Sequence, residues 1–456
     1  MEKRPKRLGE ILIENGLLTK SQLEFALGIQ KKEGGLIGEI LLKHGFVSEK
    51  DIVNALIKQE EYIYVHKETP LEALKNKAWV IIVSLSLTIF LLFVSRRILF
   101  IENINNKLYG VLLDVEYSLR HPPPAINDIL LVTIDNDTLS NMPYRWPYPR
   151  SDFAAAIENL KKAHPRLIAI DFAFLGKSVN PREDEALRNA LNFNGKIILA
   201  SSLNEQGELD FSNSPFYNAA TTGIITKLQD SDEVIRRCLT YLVSQNKNEE
   251  DIGFLSWEMQ VLKKAKNIDL KSFITSDSAL IFMNNSGEEW VVPVEADTKS
   301  FLIRFRSRTR DFRRIGFYRI LKGSFDPGMV KDKIVIIGVL STLLQDLKHT
   351  SIGWLPGMTL NTNAFLTLYT HDFLRSAPKY AEYAVIILGV ILGTFFATLL
   401  NSLKAAILLF CEILIFFLLS YILILCGYVW NYAVLPLALA VCPVLSKKII
   451  YYCRIV

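Results

Sequence analysis

DILLVTID at 128–135, FAAAIENLKKA at 153–163, RLIAIDFAF at 166–174, DEALRNALNF at 184–193 and KIILASS at 196–202 follow one another with short loops between them. The first, third and fifth are compact apolar runs. The second and fourth carry apolar residues at helical spacing. Strand–helix alternation of this kind predicts an α/β domain with a largely parallel sheet. CLTYLV at 238–243, FLIRFRS at 301–307 and KIVIIG at 333–338 extend the pattern. Gly207, Gly223, Gly287, Gly316 and Gly353 punctuate the loops. The domain is expected to occupy residues 100–379.

Outside this domain the composition changes. WVIIVSLSLTIFLLFV at 79–94 carries no charge, and three more apolar runs lie at 383–400, 403–427 and 429–445. A helical span needs roughly 20 such residues. Four transmembrane α-helices are therefore expected, over 79–99, 380–400, 403–427 and 429–446, with a linker at 67–78 and a tail at 447–456. Half of the 456 residues are hydrophobic and the mean hydropathy is +0.22, so the apolar excess is concentrated in these runs. An even number of spans puts both termini on one side. Lys75, Lys77, Lys404, Lys447, Lys448 and Arg454 assign that side to the cytoplasm. Arg96, Arg97, Arg375 and Lys379 fall opposite, beside a long translocated segment that largely escapes the charge rule. The expected location is a bacterial inner membrane, multi-pass, with 100–379 extracytoplasmic. Glu412 interrupts the third span, where an ionisable group is costly. It can stay protonated or bond a neighbouring helix.

The net charge of +5 is mild and points to no nucleic-acid partner. Of five cysteines, Cys238 alone lies in the polar segment, so that segment has no internal disulfide. His121, His164, His349 and His371 stand apart, with no zinc-like spacing. Neither a G-x-S-x-G elbow nor a GxxxxGK[ST] phosphate loop occurs. No catalytic residue, metal ligand or cofactor is assigned, and the chain is read as non-enzymatic. Asp135, Asp137 and Asp171 close predicted strands, where open α/β sheets bind ligands. Helix capping and loop bracing is the expected role for them. Arg304, Arg306, Arg308, Arg310, Arg313 and Arg314 form a basic run that suits an anionic ligand or headgroup, or a guarded edge, equally well.

The chain begins MEKRPKR, which lacks the pattern of a cleavable signal peptide. It leads into a duplication. RLGEILIENGLLTKSQLEFALGIQ at 7–30 recurs as LIGEILLKHGFVSEKDIVNALIKQ at 36–59, and Gly9, Gly16 and Gln30 return as Gly38, Gly45 and Gln59. Each copy reads as a helix pair. Leu8, Ile11 and Leu12 share one helix face, and Gly16 stops that helix. Thr19 opens the next, with Gln22 completing a capping box and Leu23, Ala26 and Leu27 as its apolar stripe. The second copy repeats this with Ile37, Ile40 and Leu41, Gly45, Ser48 with Asp51, then Ile52, Ala55 and Leu56. Neither stripe can be buried alone, so the two pairs are expected to pack together in an all-α domain over 1–66.

The doubled RLGxxLxxxGLLTxxQLxxALxxQ pattern resembles the MshEN domain, the N-terminal domain of type II secretion and pilus ATPases. Many members bind cyclic di-GMP with two such motifs in tandem. The resemblance implies a ligand site at Arg7, Leu8, Gly9, Leu12, Gly16, Leu17 and Leu18, and at Ile37, Gly38, Leu41, Gly45, Phe46 and Val47. Leu36 stands where the first copy has Arg7. YRWPYPR at 144–150 and KDKIVIIGVLSTLLQDLKHTSIGWLPGMTLNTNAF at 331–365 resemble the second class of CHASE extracytoplasmic sensory domains, in which three spans commonly follow the sensor. Together the resemblances imply a bacterial transmembrane signalling protein. An extracytoplasmic domain would sense an unidentified ligand, and a cytoplasmic domain would bind cyclic di-GMP as a regulatory ligand. Membrane sensors often work as homodimers, a state open to this chain. The alternative is a membrane-anchored docking protein whose N-terminal domain grips a secretion, pilus or signalling partner without nucleotide.

Overall fold

The computed structural model describes residues 6–65, 70–95, 99–201, 216–245 apart from 217, and 251–344 apart from 277, 285, 286 and 288. It resumes over 346–399 and over 402–441 apart from 431. Two compact units divide it: residues 1–88, 390–406 and 438–456 in one, 89–389 and 407–437 in the other.

The N-terminal repeat folds as four helices, α1 (Leu8–Glu14), α2 (Lys20–Glu33), α3 (Ile37–Lys43) and α4 (Glu49–Val65). Gly16 and Gly45 take φ of +70° and +68°, where a side chain would be strained. The Thr19 N–H donates to Gln22 Oε1 at 2.9 Å, and Gln22 N–H returns to Thr19 Oγ1 at 3.3 Å. Ser48 and Asp51 make the same reciprocal bonds at 3.0 and 3.3 Å. The packing is exchanged between copies: α1 lies on α4, and α2 on α3. Ile11, Leu12, Leu18 and Ala26 share one buried cluster with Ile40, Leu41, Val47, Ile52 and Ala55. Gln30 Nε2 donates to Gly35 O and Gln59 Nε2 to Lys6 O, both at 2.9 Å, and these are equivalent positions of the two copies.

The second unit opens with the amphipathic helix α6 (Leu99–Leu119), after α5 (Pro70–Ser95). The chain then alternates: β1 (Ile129–Ile134), α7 (Asn136–Asn141), α8 (Arg150–Lys162), β2 (Leu167–Ile170), α9 (Pro181–Leu191), β3 (Ile197–Ser201) and β4 (Thr221–Ile224). Shorter strands β5 (Lys227–Gln229), β6 (Ile235–Leu239), β7 (Tyr241–Gln245) and β8 (Asp251–Leu255) lead to α10 (Trp257–Lys266). Then come β9 (Ile268–Thr275), β10 (Ala279–Asn284), β11 (Glu289–Pro293), β12 (Ser300–Leu302), β13 (Arg313–Gly316), α11 (Phe317–Leu321) and β14 (Ile334–Val339). β15 (Leu347–Thr350), β16 (Gly353–Pro356), α12 (Gly357–Thr370) and β17 (Arg375–Ser376) precede α13 (Lys379–Leu399), α14 (Ser402–Leu425) and β18 (Tyr428–Val429).

The central sheet has the order β13-β1-β14-β2-β3-β4, and every pair is parallel. Alternate residues face opposite cores. Leu131, Ala169 and Ile336 pack with α6, α10 and α12 residues on one side; Val132, Ile168 and Val335 pack with α8, α9 and α11 on the other. Burial on both faces explains why these strands read as unbroken apolar runs.

The membrane segments need correction. Among the described residues two helices are long and apolar enough to cross a membrane, Lys379–Ala397 and Leu403–Leu425, against the four expected. α5 is one helix over Pro70–Ser95, and among the described residues its apolar stretch is Ala78–Phe90. The fourth run does not begin as a helix: Gly427 ends α14 at φ +85°, and Tyr428 and Val429 pair in parallel with Arg375 and Ser376. Helix follows at 434–441. Arg96, Arg97, Gly207 and the tail at 447–456 lie outside the described residues.

The basic run is also corrected. Arg304 and Arg306 are buried, not a surface feature. Arg304 Nη2 donates to Glu116 Oε1 on α6 and to Ile424 O at the end of α14, both at 2.6 Å, and Nη1 reaches Asp372 at 2.5 Å. Arg306 Nη1 bonds the other Asp372 oxygen at 2.8 Å. Arg308 pairs with Asp114 at 2.8 Å, while Arg313 and Arg314 stay exposed on the edge strand. The period-two spacing sets alternate arginines on one side of an extended segment, against the acids of α6. Arg304→Met leaves the buried Glu116 carboxylate with only the part-exposed Arg120, at 2.9 Å, as its cation, and should cost up to about 3–5 kcal/mol. Arg304→Met with Glu116→Met should recover most of that loss, as read by thermal unfolding of the full chain in detergent.

Candidate functional site

A cavity of about 470 Å³ opens at the carboxyl ends of β2 and β14. Asp171 and Phe172 enter it from the end of β2, Val339 from the end of β14, and Ile225 and Thr226 from beyond β4. Gly357, Leu360 and Asn361 from the first turns of α12 close one side, and Trp146 adds an aromatic wall. The volume falls within the range of small-molecule sites, roughly 300–1,000 Å³.

The fold brings Asp171 there by backbone pairing. Its N–H donates to Ile337 O at 2.8 Å, continuing the sheet by one residue. Gly338 lets α12 approach: a Cβ there would lie 2.9 Å from Met358 Cγ and 3.1 Å from Asp171 Cβ. Asn361 Nδ2 then donates to Asp171 Oδ1 at 2.7 Å. Asn361 is 6% exposed, and its Oδ1 has no hydrogen-bond partner. Burial pushes Asp171 from the ordinary 3.8 to about 8. The Asn361 bond and Lys227 oppose that rise, and the charges of Asp346 and Glu258 add to it.

The surrounding charges are neutralised in pairs. Lys227 Nζ meets Glu258 Oε1 at 2.6 Å, with side chains 5% and 0% exposed. Cys238 Sγ also donates to Glu258, at 3.4 Å, and burial beside that carboxylate pushes the thiol up. Asp346 sits against the start of α12, where a Cβ on Gly357 would collide with its Oδ2, and it pairs with Lys348 at 3.4 Å. An acid is favourable at a helix N-terminus.

YRWPYPR supports this site mechanically. Arg150 pairs with Asp184 and donates to the carbonyls of Leu175 and Gly176 at 2.8 and 2.9 Å. Trp146, Tyr148, Phe153 and Phe172 stack edge to face in one aromatic cluster. Asp135 has the modest role expected of it: its Oδ1 caps α7 by accepting Thr138 N–H at 2.9 Å. Asp137 accepts from Asn141 within the same helix. Asp171 departs from that expectation, since it caps no helix and faces the cavity. Glu258 and Lys227 carry no signal in the sequence, because the fold alone joins them. Asn361 carries no local signal either, since its partner Asp171 is 190 residues away in the chain.

In the N-terminal unit, Arg7, Gly16, Leu17 and Gly45 are exposed, while Gly9, Leu12, Leu18, Leu41 and Val47 are buried. Leu8, Ile37, Gly38 and Phe46 are half-buried. Leu8 reaches Gly38 across the copies, and a Cβ on Gly9 would lie 2.5 Å from Leu23 Cδ1. Five of the thirteen residues are thus core to the helix packing.

The raised Asp171 carboxyl makes stability pH-dependent. Between about pH 4 and pH 8 the folded chain holds a proton that the unfolded chain has lost, so stability falls as pH rises across that window, by up to about 1.4 kcal/mol per unit. It levels off above the folded value. Asp171→Asn keeps the acceptor for Asn361 and should flatten this slope in melting temperatures measured from pH 4 to pH 9.

Comparison with known proteins adds one match. Residues 83–395 fit the model of the CHASE2 domain. No curated protein and no solved structure matches the chain. CHASE2 is an extracellular sensory domain of signalling proteins and occurs in membrane sensors, in keeping with two apolar helices near the C-terminal end. With more than half of its length in that match, the chain belongs to the CHASE2 domain family.

Proposed function

We propose that this chain is a bacterial transmembrane signalling protein whose α/β head takes a small ligand outside the cell and whose N-terminal repeat binds cyclic di-GMP inside it. The observation that carries the sensing half is the cavity holding the buried Asp171–Asn361 pair within a CHASE2 domain. The reading assigns no chemical step and no cofactor. Both termini are taken as cytoplasmic and residues 100–379 as extracytoplasmic. The nucleotide half is supported by the exposed Arg7 and Leu17 at the motif positions of the first copy. An arginine that bonds guanine O6 and N7 together supplies about 1–3 kcal/mol of recognition.

A second reading, docking to a secretion, pilus or signalling partner without nucleotide, is favoured by two observations. Leu36 replaces the arginine of the second copy, and Phe25, Leu27, Val53, Leu56 and Ile57 are exposed on α2 and α4.

The full chain in nanodiscs, titrated calorimetrically with cyclic di-GMP, should bind. Arg7→Ala should weaken binding about 5- to 100-fold. Absence of heat from the intact chain, with a protein partner still captured through the repeat, decides for docking. For the head, a thermal-shift panel of small polar molecules should find compounds that raise the melting temperature. Thr226→Trp, which fills the cavity, should erase that rise, and equal stabilisation of both proteins removes the cavity from the sensing role.

A further inference from the structure

The cavity also specifies what it receives, given the sensing role proposed above. Its charge balance is uneven. Lys227 is neutralised by Glu258, and Asp346 by Lys348 and the start of α12. Asp171 has no cation of its own: its bond in the cavity comes from the neutral amide of Asn361. Asn361 is only 6% exposed; its Oδ1 has no partner and is itself closed off from solvent, so a ligand meets this amide only if the side chain turns. A buried acceptor without a partner is unfavourable. Two oxygen acceptors on adjacent side chains, one able to carry the only unbalanced negative charge, call for a group with several N–H donors and a positive charge. The neighbouring walls are Trp146, Phe172 and Leu360, and the space far exceeds that of a metal ion. Aromatic walls tolerate or attract an organic cation.

We infer that the head binds a small organic amine whose protonated nitrogen bonds the Asp171 carboxylate, with the Asn361 amide turning its Oδ1 to meet it and the carbon chain lying against Trp146 and Phe172. The groups that face Asp171 are Lys227 on β5, Glu258 on α10, Asn361 on α12 and Asp346 ahead of β15. Since burial keeps Asp171 protonated in the empty cavity, an arriving ammonium displaces that proton to solvent. Binding then strengthens as pH rises, about tenfold from pH 6 to pH 7, and levels off above pH 8.

The test uses the full chain in nanodiscs, titrated calorimetrically at pH 6, 7 and 8 with butylamine, putrescine, 1-butanol and butyrate. The amines should bind with the stated pH dependence and release close to one proton at pH 6 and 7 and about half at pH 8, counted from buffers of different ionisation heat. Asp171→Asn should weaken amine binding at least tenfold at pH 8 and remove its pH dependence. Asn361→Leu should weaken it while leaving some dependence. Binding of 1-butanol or butyrate in preference to the amines, lost in Thr226→Trp, overturns the amine assignment and leaves the cavity as the sensing site. Amine binding unaffected by Thr226→Trp overturns it as well. If none of the four binds, the amine assignment falls; the sensing role falls with it only when the wider panel of small polar molecules is also silent.

Discussion

A parallel sheet covered on both faces has no free surface on which to present polar groups. In this head, helices occupy both sides of six strands, and side chains from β1, β2, β3 and β14 are committed alternately to the two cores. Polar chemistry is therefore displaced to the strand ends, where backbone pairing stops and loops diverge. Asp171 is one residue past the last apolar position of β2, still held by a sheet hydrogen bond but with its side chain outside the cores. The cavity, its aromatic wall and the contact with α12 follow from that position. So does the perturbed carboxyl: the same layers that hide the strands keep water from their ends.

Much of this was legible in the chain because parallel strands write themselves as continuous apolar runs. ILLVTI, LIAI and IVIIG announce β1, β2 and β14, and the helical spacing of FAAAIENLKKA announces α8. Strand order was not legible. β14 inserts between β1 and β2 from over 150 residues downstream, and nothing local encodes that. The same distance hid Asn361 from Asp171 and Glu258 from Lys227. Arg304 and Arg306 misled for a related reason, whereas Arg313 and Arg314 do guard the edge strand. Charge in a sequence suggests surface, and only the acids on α6 and at Asp372 make a buried arrangement affordable. The start of the fourth apolar run was misjudged because hydropathy does not register Gly427 or the strand that follows it.

The N-terminal repeat shows the opposite case, in which local grammar predicted nearly everything. Glycine stops and capping boxes stand where the duplicated pattern put them, while of the apolar stripes Leu27 and Leu56 turn out exposed. What the pattern could not convey is the exchange of partners, α1 with α4 and α2 with α3. That exchange makes one core from two copies, so several motif residues serve packing whatever else they do. Arg7 and Leu17 are free of that duty and Leu12 and Leu41 are not, a division that matters for choosing where to probe recognition.

The short strand pair β17–β18 has a mechanical consequence. Arg375 N–H donates to Gly427 O at 2.8 Å and Ala377 N–H to Val429 O at 2.7 Å, while Arg304 holds the Ile424 carbonyl from the head. These stitches gather the segment before α13, the end of α14 and the head's interior at a single level. Only the Ile424 carbonyl belongs to α14 itself; the other two bonds hold the residues just past its end. The loop after α14 is therefore fixed to the same polar corner that buries Arg304.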